Sequence, residues 1–430
     1  MTTETLDRTS PEGIAQIILD AIHNRRVASW RELPSYLMRE CDLAETDALA
    51  ISEAVSRRWQ ERFLPAVTRL ELFITENCNL RCDYCFVHGK NAFHRMSWDT
   101  AKKAVDFLIR ESRDQKQLHI FYMGGEPFLE FELMRQVTLY AEERARETGK
   151  QVDFSVTTNG TLFTEESLAF CRDHAIRYML SMDGDRETQN THRKAPGGRG
   201  SFDLVLPWIP RMKHYQPWMG VRMTVHPDRA HALADDFDFL ADQGINQFII
   251  GPASGVEWTE EALATYRAQM IEVLRRYKAR LDQGQQLRCD LFRDLDNLFD
   301  KKGIWGCQAG RHSLTIAANG DISPCPKMLG LNDLQGIYRL GDLEHGITDL
   351  DARMELVGMW GKRQTKCMTC DLADACTGGC FANNYEATGS IFIPCENDCK
   401  LLRVNLEIRQ LARELLGTAA SHPSGEECAV

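Results

Sequence analysis

The sequence predicts an α/β protein: a parallel sheet with helices outside it, a helical segment before it and a cysteine-rich segment after it. Three observations carry this. Apolar runs alternate with amphipathic helical patterns six times between residues 70 and 251. Residues 12–63 show helical periodicity and no strand pattern. Eight of the fifteen cysteines fall between residues 307 and 399. Strand–helix units in series bury a parallel sheet under its own helices.

Taken in order, Ile14, Ile17, Ile18, Ala21 and Ile22 mark one helical stripe, and Ala48, Ile51, Val55 and Trp59 another. Candidate strands run over 70–75, 118–122, 152–157, 178–182, 220–225 and 248–251. A helix over 97–110 is capped by Ser97 and turns Ala101, Ala104, Val105, Leu108 and Ile109 to one face. Residues 258–300 read as helical through Leu263, Tyr266, Met270, Val273 and Leu274. Asn319-Gly320 marks a hairpin turn between two short strands. Cys171 reads as core. The tail around Cys428 reads as disordered, and Cys41 and Cys289 take no role.

Composition narrows the function. The chain is 43% hydrophobic and 26% charged, and no apolar run approaches the roughly 20 residues that span a bilayer. The first residues lack the basic and apolar regions of a signal peptide, so a cytoplasmic address is expected. With 62 acidic against 51 basic residues, the net charge of -11 argues against a broad nucleic-acid surface. Arg186, His192, Arg193, Lys194 and Arg199 leave room for a local basic groove, or equally for a solvated loop.

Cys78, Cys82 and Cys85 follow the first candidate strand within eight residues. Structural zinc prefers four ligands from paired knuckles, and a disulfide framework belongs to small secreted domains. Three crowded thiolates at a strand end suit an iron–sulfur cluster with one iron left without a protein donor. Further polar and glycine residues lie at later strand ends: Gly124, Gly125, Glu126 and Pro127, then Thr158, Asn159 and Gly160, then Ser181, Met182, Asp183 and Gly184. Parallel barrels carry their chemistry at that face.

The C-x3-C-x2-C spacing, with Tyr84 before the last cysteine, resembles the radical S-adenosylmethionine (SAM) enzymes over roughly residues 68–400. The resemblance implies a partial (β/α)6 TIM-like barrel. It also implies a [4Fe-4S] cluster on Cys78, Cys82 and Cys85, whose open iron is chelated by SAM and which cleaves SAM to a 5′-deoxyadenosyl radical. It assigns Glu126 and the Gly124–Gly125 main chain of the Gly-Gly-Glu-Pro127 segment to the ammonium of SAM, and Arg193 to its carboxylate. Ser181 and Asp183 go to the ribose or the amino acid end, with Asn159 among the strand-end contacts. Tyr84 and the main chain of residues 223–225 go to the adenine; the side chains of Met223 and Val225 read as core.

Cys307, Cys325, Cys367, Cys370, Cys376, Cys380 and a final cysteine resemble the seven-cysteine SPASM pattern, which implies two auxiliary iron–sulfur clusters. Cys307, Cys325 and Cys380 belong to the first. Cys367, Cys370, Cys376 and Cys399 belong to the second, with Cys395 an alternative for the last place. Ser313 stands where some relatives have a further cysteine. Zinc knuckles are the competing reading. The expected divisions are a helical extension at 1–66, the barrel at 67–257, a helical connector at 258–300, the SPASM domain at 301–415 and a tail at 416–430.

By resemblance the chain is a maturase of ribosomally made peptides that installs a thioether or carbon–carbon crosslink. Its expected partners are a precursor peptide, an electron donor such as flavodoxin or ferredoxin, and a separate leader-recognition protein; neither a membrane nor nucleic acid is expected. Anaerobic sulfatase maturation is the alternative, although those enzymes carry an aspartate where this chain has Pro326. A non-catalytic metal-cluster scaffold is the alternative from another class.

Overall fold

Parallel strands covered on both faces read as near-continuous apolar runs, and the six such runs are strands in the computed structural model. It describes residues 7–23, 26–27, 32–87, 94–293, 309–329, 338–357, 367, 369–373, 376 and 378–417. The strands are β1 (Arg69–Thr75), β2 (Gln117–Gly124), β3 (Gln151–Thr158), β4 (Ile176–Ser181), β5 (Gly220–Val225) and β6 (Gln247–Pro252), paired in parallel in that order. They form the partial (β/α)6 barrel. The helix Trp98–Glu111 starts at Ser97, whose hydroxyl accepts the Thr100 N–H at 3.0 Å, and it buries Ala101, Ala104, Val105 and Leu108. Met223, Val225 and Cys171 are core.

The sheet extends beyond the six strands on both edges. Among the described residues of 258–300, read as helical, one α-helix occurs, Glu260–Asp282. It ends at Gly284 in the left-handed region, and the chain then forms β7 (Arg288–Cys289), parallel to β6. On the far edge β8 (Ser313–Ile316) lies parallel to β1, and β9 (Asp321–Ser323), β10 (Gly341–Asp342) and β11 (Gly346–Ile347) continue antiparallel. The predicted hairpin turn is there: Gly320 has φ +93°, and the Ala317 N–H donates to the Asp321 carbonyl at 2.9 Å. The C-terminal region is therefore continuous with the barrel sheet.

Helices Pro11–His23, Leu33–Cys41 and Glu45–Phe63 make a second core. Ile14, Ile18, Ala21, Leu33, Leu37 and Ala48 pack with Met354 and Val357 from around the helix Leu350–Leu356. Arg353 of that helix is buried and donates to the carbonyls of Gly310 (2.9 Å), Pro65 (2.7 Å) and Arg311 (2.9 Å). Burial pushes its pKa down to about 10. Among the described residues no disulfide occurs and no helix is long and apolar enough to cross a membrane. Cys307, Cys428 and most of the tail at 416–430 lie outside the described residues.

Replacing Arg353 with Met leaves three buried carbonyls without their donor. We expect a loss of about 1–3 kcal/mol, read as a lower urea midpoint, with faster amide exchange in residues 11–63. An unchanged midpoint would count against this clamp.

Candidate active site

The cysteine loop is fixed by main chain from two directions. The Arg81 N–H donates to the Lys194 carbonyl at 2.6 Å, and the Asp83 N–H to the His192 carbonyl at 3.3 Å. On the other side the Gly125 N–H donates to the Thr75 carbonyl and the Glu126 N–H to the Asn77 carbonyl, both at 2.9 Å. This contact explains the paired glycines. A Cβ on Gly124 would stand 2.0 Å from the Thr75 oxygen, and one on Gly125 2.1 Å from the Asn77 oxygen. The sequence offered close approach to a ligand as their reason; close approach of β2 to β1 and to the loop is a second.

Cys78, Cys82 and Cys85 are half-buried and line one cavity of about 360 Å³ with Tyr84, Gly124–Glu126, Asn159, Ser181, Arg193, Arg222 and Thr224. No other cysteine lines it among the described residues. Burial pushes the Cys78 thiol up to about 12 and the Cys82 thiol to about 11, the latter opposed by Arg193. The Cys78 sulfur accepts the Leu80 N–H at 3.3 Å and lies 3.8 Å from Asn159 Nδ2.

These residues fit an iron–sulfur cluster with one open iron. Three half-buried thiols line the cavity with no fourth cysteine on it among the described residues, whereas a structural zinc takes four protein ligands. N–H groups aimed at a ligand sulfur are among the groups that set a cluster's potential.

Glu126 is buried. Its carboxylate accepts from the Phe128 N–H (3.1 Å), Thr158 Oγ1 (2.8 Å) and the Asn159 N–H (2.7 Å). Burial nevertheless raises its pKa to about 7. Pro127 begins the short turn that Glu126 caps. Asn159 ties β3 to the cysteine loop, with Nδ2 donating to Asn79 Oδ1 at 2.8 Å.

Asp183 and Arg193 are both buried and form a two-point pair, Nε to Oδ2 at 2.9 Å and Nη2 to Oδ1 at 3.0 Å. The Tyr84 hydroxyl donates to Asp183 Oδ2, and the Arg193 guanidinium lies 5.4 Å from the centre of the Tyr84 ring. The Thr224 N–H donates to Asp183 Oδ1 at 2.8 Å. Ser181 ends β4 at the cavity wall, level with Arg222. Three of the five residues of the suggested basic groove meet carboxylates: His192 contacts Asp83 (3.2 Å) and Asp228 (2.9 Å), Arg193 is taken by Asp183, and Arg186 pairs with Asp203. Sequence reading missed Asp83, Asp228 and Asp236, whose partners are distant in the chain.

In the C-terminal region Cys367, Cys370, Cys376, Cys395 and Cys399 line a second cavity of about 340 Å³. Cys325 and Cys380 do not line it; they pack against the barrel core. The Leu372 and Gly378 N–H groups donate to the Cys370 and Cys376 sulfurs at 3.5 and 3.2 Å, and Arg403 Nη2 lies 3.7 Å from Cys370.

The comparisons agree with this geometry. Residues 72–240 match the Radical SAM superfamily. The serine-type anaerobic sulfatase-maturating enzyme of Klebsiella aerogenes is 22% identical over 319 residues, covering 71% of this chain and 77% of its own. A structure of anSMEcpe with bound AdoMet and the Cp18Cys peptide superposes with a TM-score of 0.66 at 19% identity, over 81% of this chain and 98% of its own. Streptococcus suis SuiB bound to precursor peptide SuiA gives 0.58 at 16% identity, over 83% and 81%. Residues 72–240 thus carry a radical SAM domain, a family in which SAM and a [4Fe-4S] cluster are expected. The relatives found are consistent with SPASM-type radical SAM maturases.

Asp236 fixes the turn after β4. Its Oδ1 accepts the Asp185 N–H at 2.9 Å, and a Cβ on Gly184 would meet that oxygen at 2.0 Å. Burial raises its pKa to about 7 from 3.8. The folded state thus keeps a proton that the unfolded chain releases, and this contribution to stability is lost as pH rises from 3.8 through 7. Asp236→Asn should gain stability over wild type as pH rises from 3.8 to about 7 and level off above that, read by urea midpoints at pH 5 and 8; a constant difference would contradict the assignment.

Proposed function

We propose that this enzyme is a maturase of ribosomally made peptides, abstracting hydrogen from a precursor peptide and installing a thioether or carbon–carbon crosslink. The observation that carries it is one cavity holding three half-buried cysteines, the Glu126 segment and buried Arg193 at the ends of parallel strands. The relatives named above include an enzyme that matures a sulfatase and a protein bound to its precursor peptide.

When bound, the cluster and SAM supply an electron and a 5′-deoxyadenosyl radical. The chain's own residues do the rest. Cys78, Cys82 and Cys85 hold the cluster. The Gly124–Gly125 main chain and Glu126 take the ammonium of SAM, with Pro127 fixing the turn. Ser181 and Arg193 take the amino acid end, while Asp183 holds Arg193 and Tyr84 in place. Asn159 braces the loop through Asn79. Phe121, Met123, Met179 and Ile249 line the same cavity and exclude water.

In this reading residues 1–66, 67–257, 258–300, 301–415 and 416–430 are extension, barrel, connector, auxiliary domain and tail. Cys307, Cys325 and Cys380 hold one auxiliary cluster. Cys367, Cys370, Cys376 and Cys399 hold the other; Cys395 lines the same cavity and competes for the last place. A flavodoxin or ferredoxin supplies the electron in the cytoplasm, and a separate protein presents the leader. Sulfatase maturation is the second reading, favoured by the Klebsiella relative; Pro326 in place of an aspartate disfavours it.

Anaerobically reconstituted protein given SAM and dithionite should form 5′-deoxyadenosine, and Cys82→Ala should abolish it. A cluster-loaded wild-type protein that forms none would retire the radical reading. Cys376→Ala should lower iron content and product formation; full iron loading in that variant would remove Cys376 from the second cluster.

A further inference from the structure

Arg222 has no assignment in the reading above. It lies mid-strand in β5 between Val221 and Met223, both fully buried on the helix side, and its own side chain turns into the cavity. Arg222 is exposed, opening into that cavity, while desolvation by the protein packed around it and then Arg193 lower its pKa. Among the described residues no hydrogen bond or ion pair reaches its guanidinium; Asp183 and Asp290 act only through space. A guanidinium open to the cavity and touching no anion there is available to pair with one that enters.

The guanidinium is also given a seat. A Cβ on Gly251 of β6 would lie 3.2 Å from Nη2 and 3.5 Å from Cζ, so the group rests against bare main chain at the open end of the strands. Two observations decide which anion it takes. Arg193 stands beside Cys82, on the side where the amino acid end of SAM must meet the open iron, whereas the charged groups that act most on Arg222 are Arg193, Asp183 and Asp290. Ser181 and Ile249 stand level with Arg222 on the neighbouring strands, and Met179, Thr224, Pro252 and Ser254 also line the cavity, which carries Glu126 and Arg193 as well. A guanidinium that touches no anion there suits a peptide carboxylate, which it can bind at two points.

We propose that Arg222 recognises the substrate by pairing with a carboxylate of the peptide, on an acidic side chain or at a C-terminus. This rests on the peptide-modifying reading, and its test does not need turnover. Reconstituted holoenzyme with SAM bound is treated with phenylglyoxal, and the Arg222 adduct is followed by peptide mass spectrometry. The probes are N-acetyl-aspartate methylamide, N-acetyl-phenylalanine and N-acetyl-phenylalanine amide. The carboxylate probes should protect Arg222 and the amide should not, and the better protector tells side chain from terminus. Protection by SAM alone, equal protection by the amide, or none by either acid would overturn the proposal.

As a second measurement, Arg222→Gln should weaken the protecting acid roughly tenfold, the loss of one charge-assisted contact, while Arg222→Lys recovers part of it. Equal affinity in Arg222→Gln would also overturn the proposal. A wild-type protein that forms no 5′-deoxyadenosine counts against the radical reading instead, and leaves the labelling pattern to be judged separately.

Discussion

One buried carboxylate organises the catalytic face. Asp183 receives hydrogen bonds from Tyr84 in the cysteine loop, from two nitrogens of Arg193 and from the Thr224 N–H on β5, while the Gln189 side chain accepts from its own N–H. Three separate stretches of chain, the cysteine loop, the segment at Arg193 and β5, are thus referenced to one anion. A buried pair of this kind adds little net stability against an apolar core of the same shape, yet losing one partner strands the other. Its value here is geometric, because the positions of the cysteine loop and of the fifth strand follow from it.

The glycines work to the same end by steric means. Gly124, Gly125 and Gly184 each stand where a methyl group would fall about 2 Å from an oxygen of another segment. Polar contacts tie the strand ends together and the glycines let them come close enough to be tied. The cavity is narrow because of both.

Much of this was legible in the sequence, for physical reasons. Long buried strands are apolar throughout, so β1 to β6 could be placed within a residue or two, and three cysteines in eight residues admit few chemistries. The two-residue β7 and the pairing of β8 with β1 could not be read. Strands that short have no period, and tertiary contact chooses their partner. The Asp183–Arg193 pair was hidden for a related reason: both residues were seen, but a sequence names ligands singly and does not say which will satisfy each other first. Arg222 did leave a signal, a lone arginine among Val221, Met223 and Val225 in a strand covered on both sides.

The seating of β8 against β1 bears on how the chain is made. The outer edge of β1 is complete as a strand once residue 75 has left the ribosome, but its neighbour arrives only with Ser313–Ile316. At about 5–20 residues per second, roughly 10–50 s of translation separate the two, during which an apolar strand edge has no mate. The three leading helices wait longer still, since Met354 and Val357 close their core. Nascent protein of this design is exposed to mispairing at its very first strand, and shielding by a chaperone at that edge is a physical need set by topology.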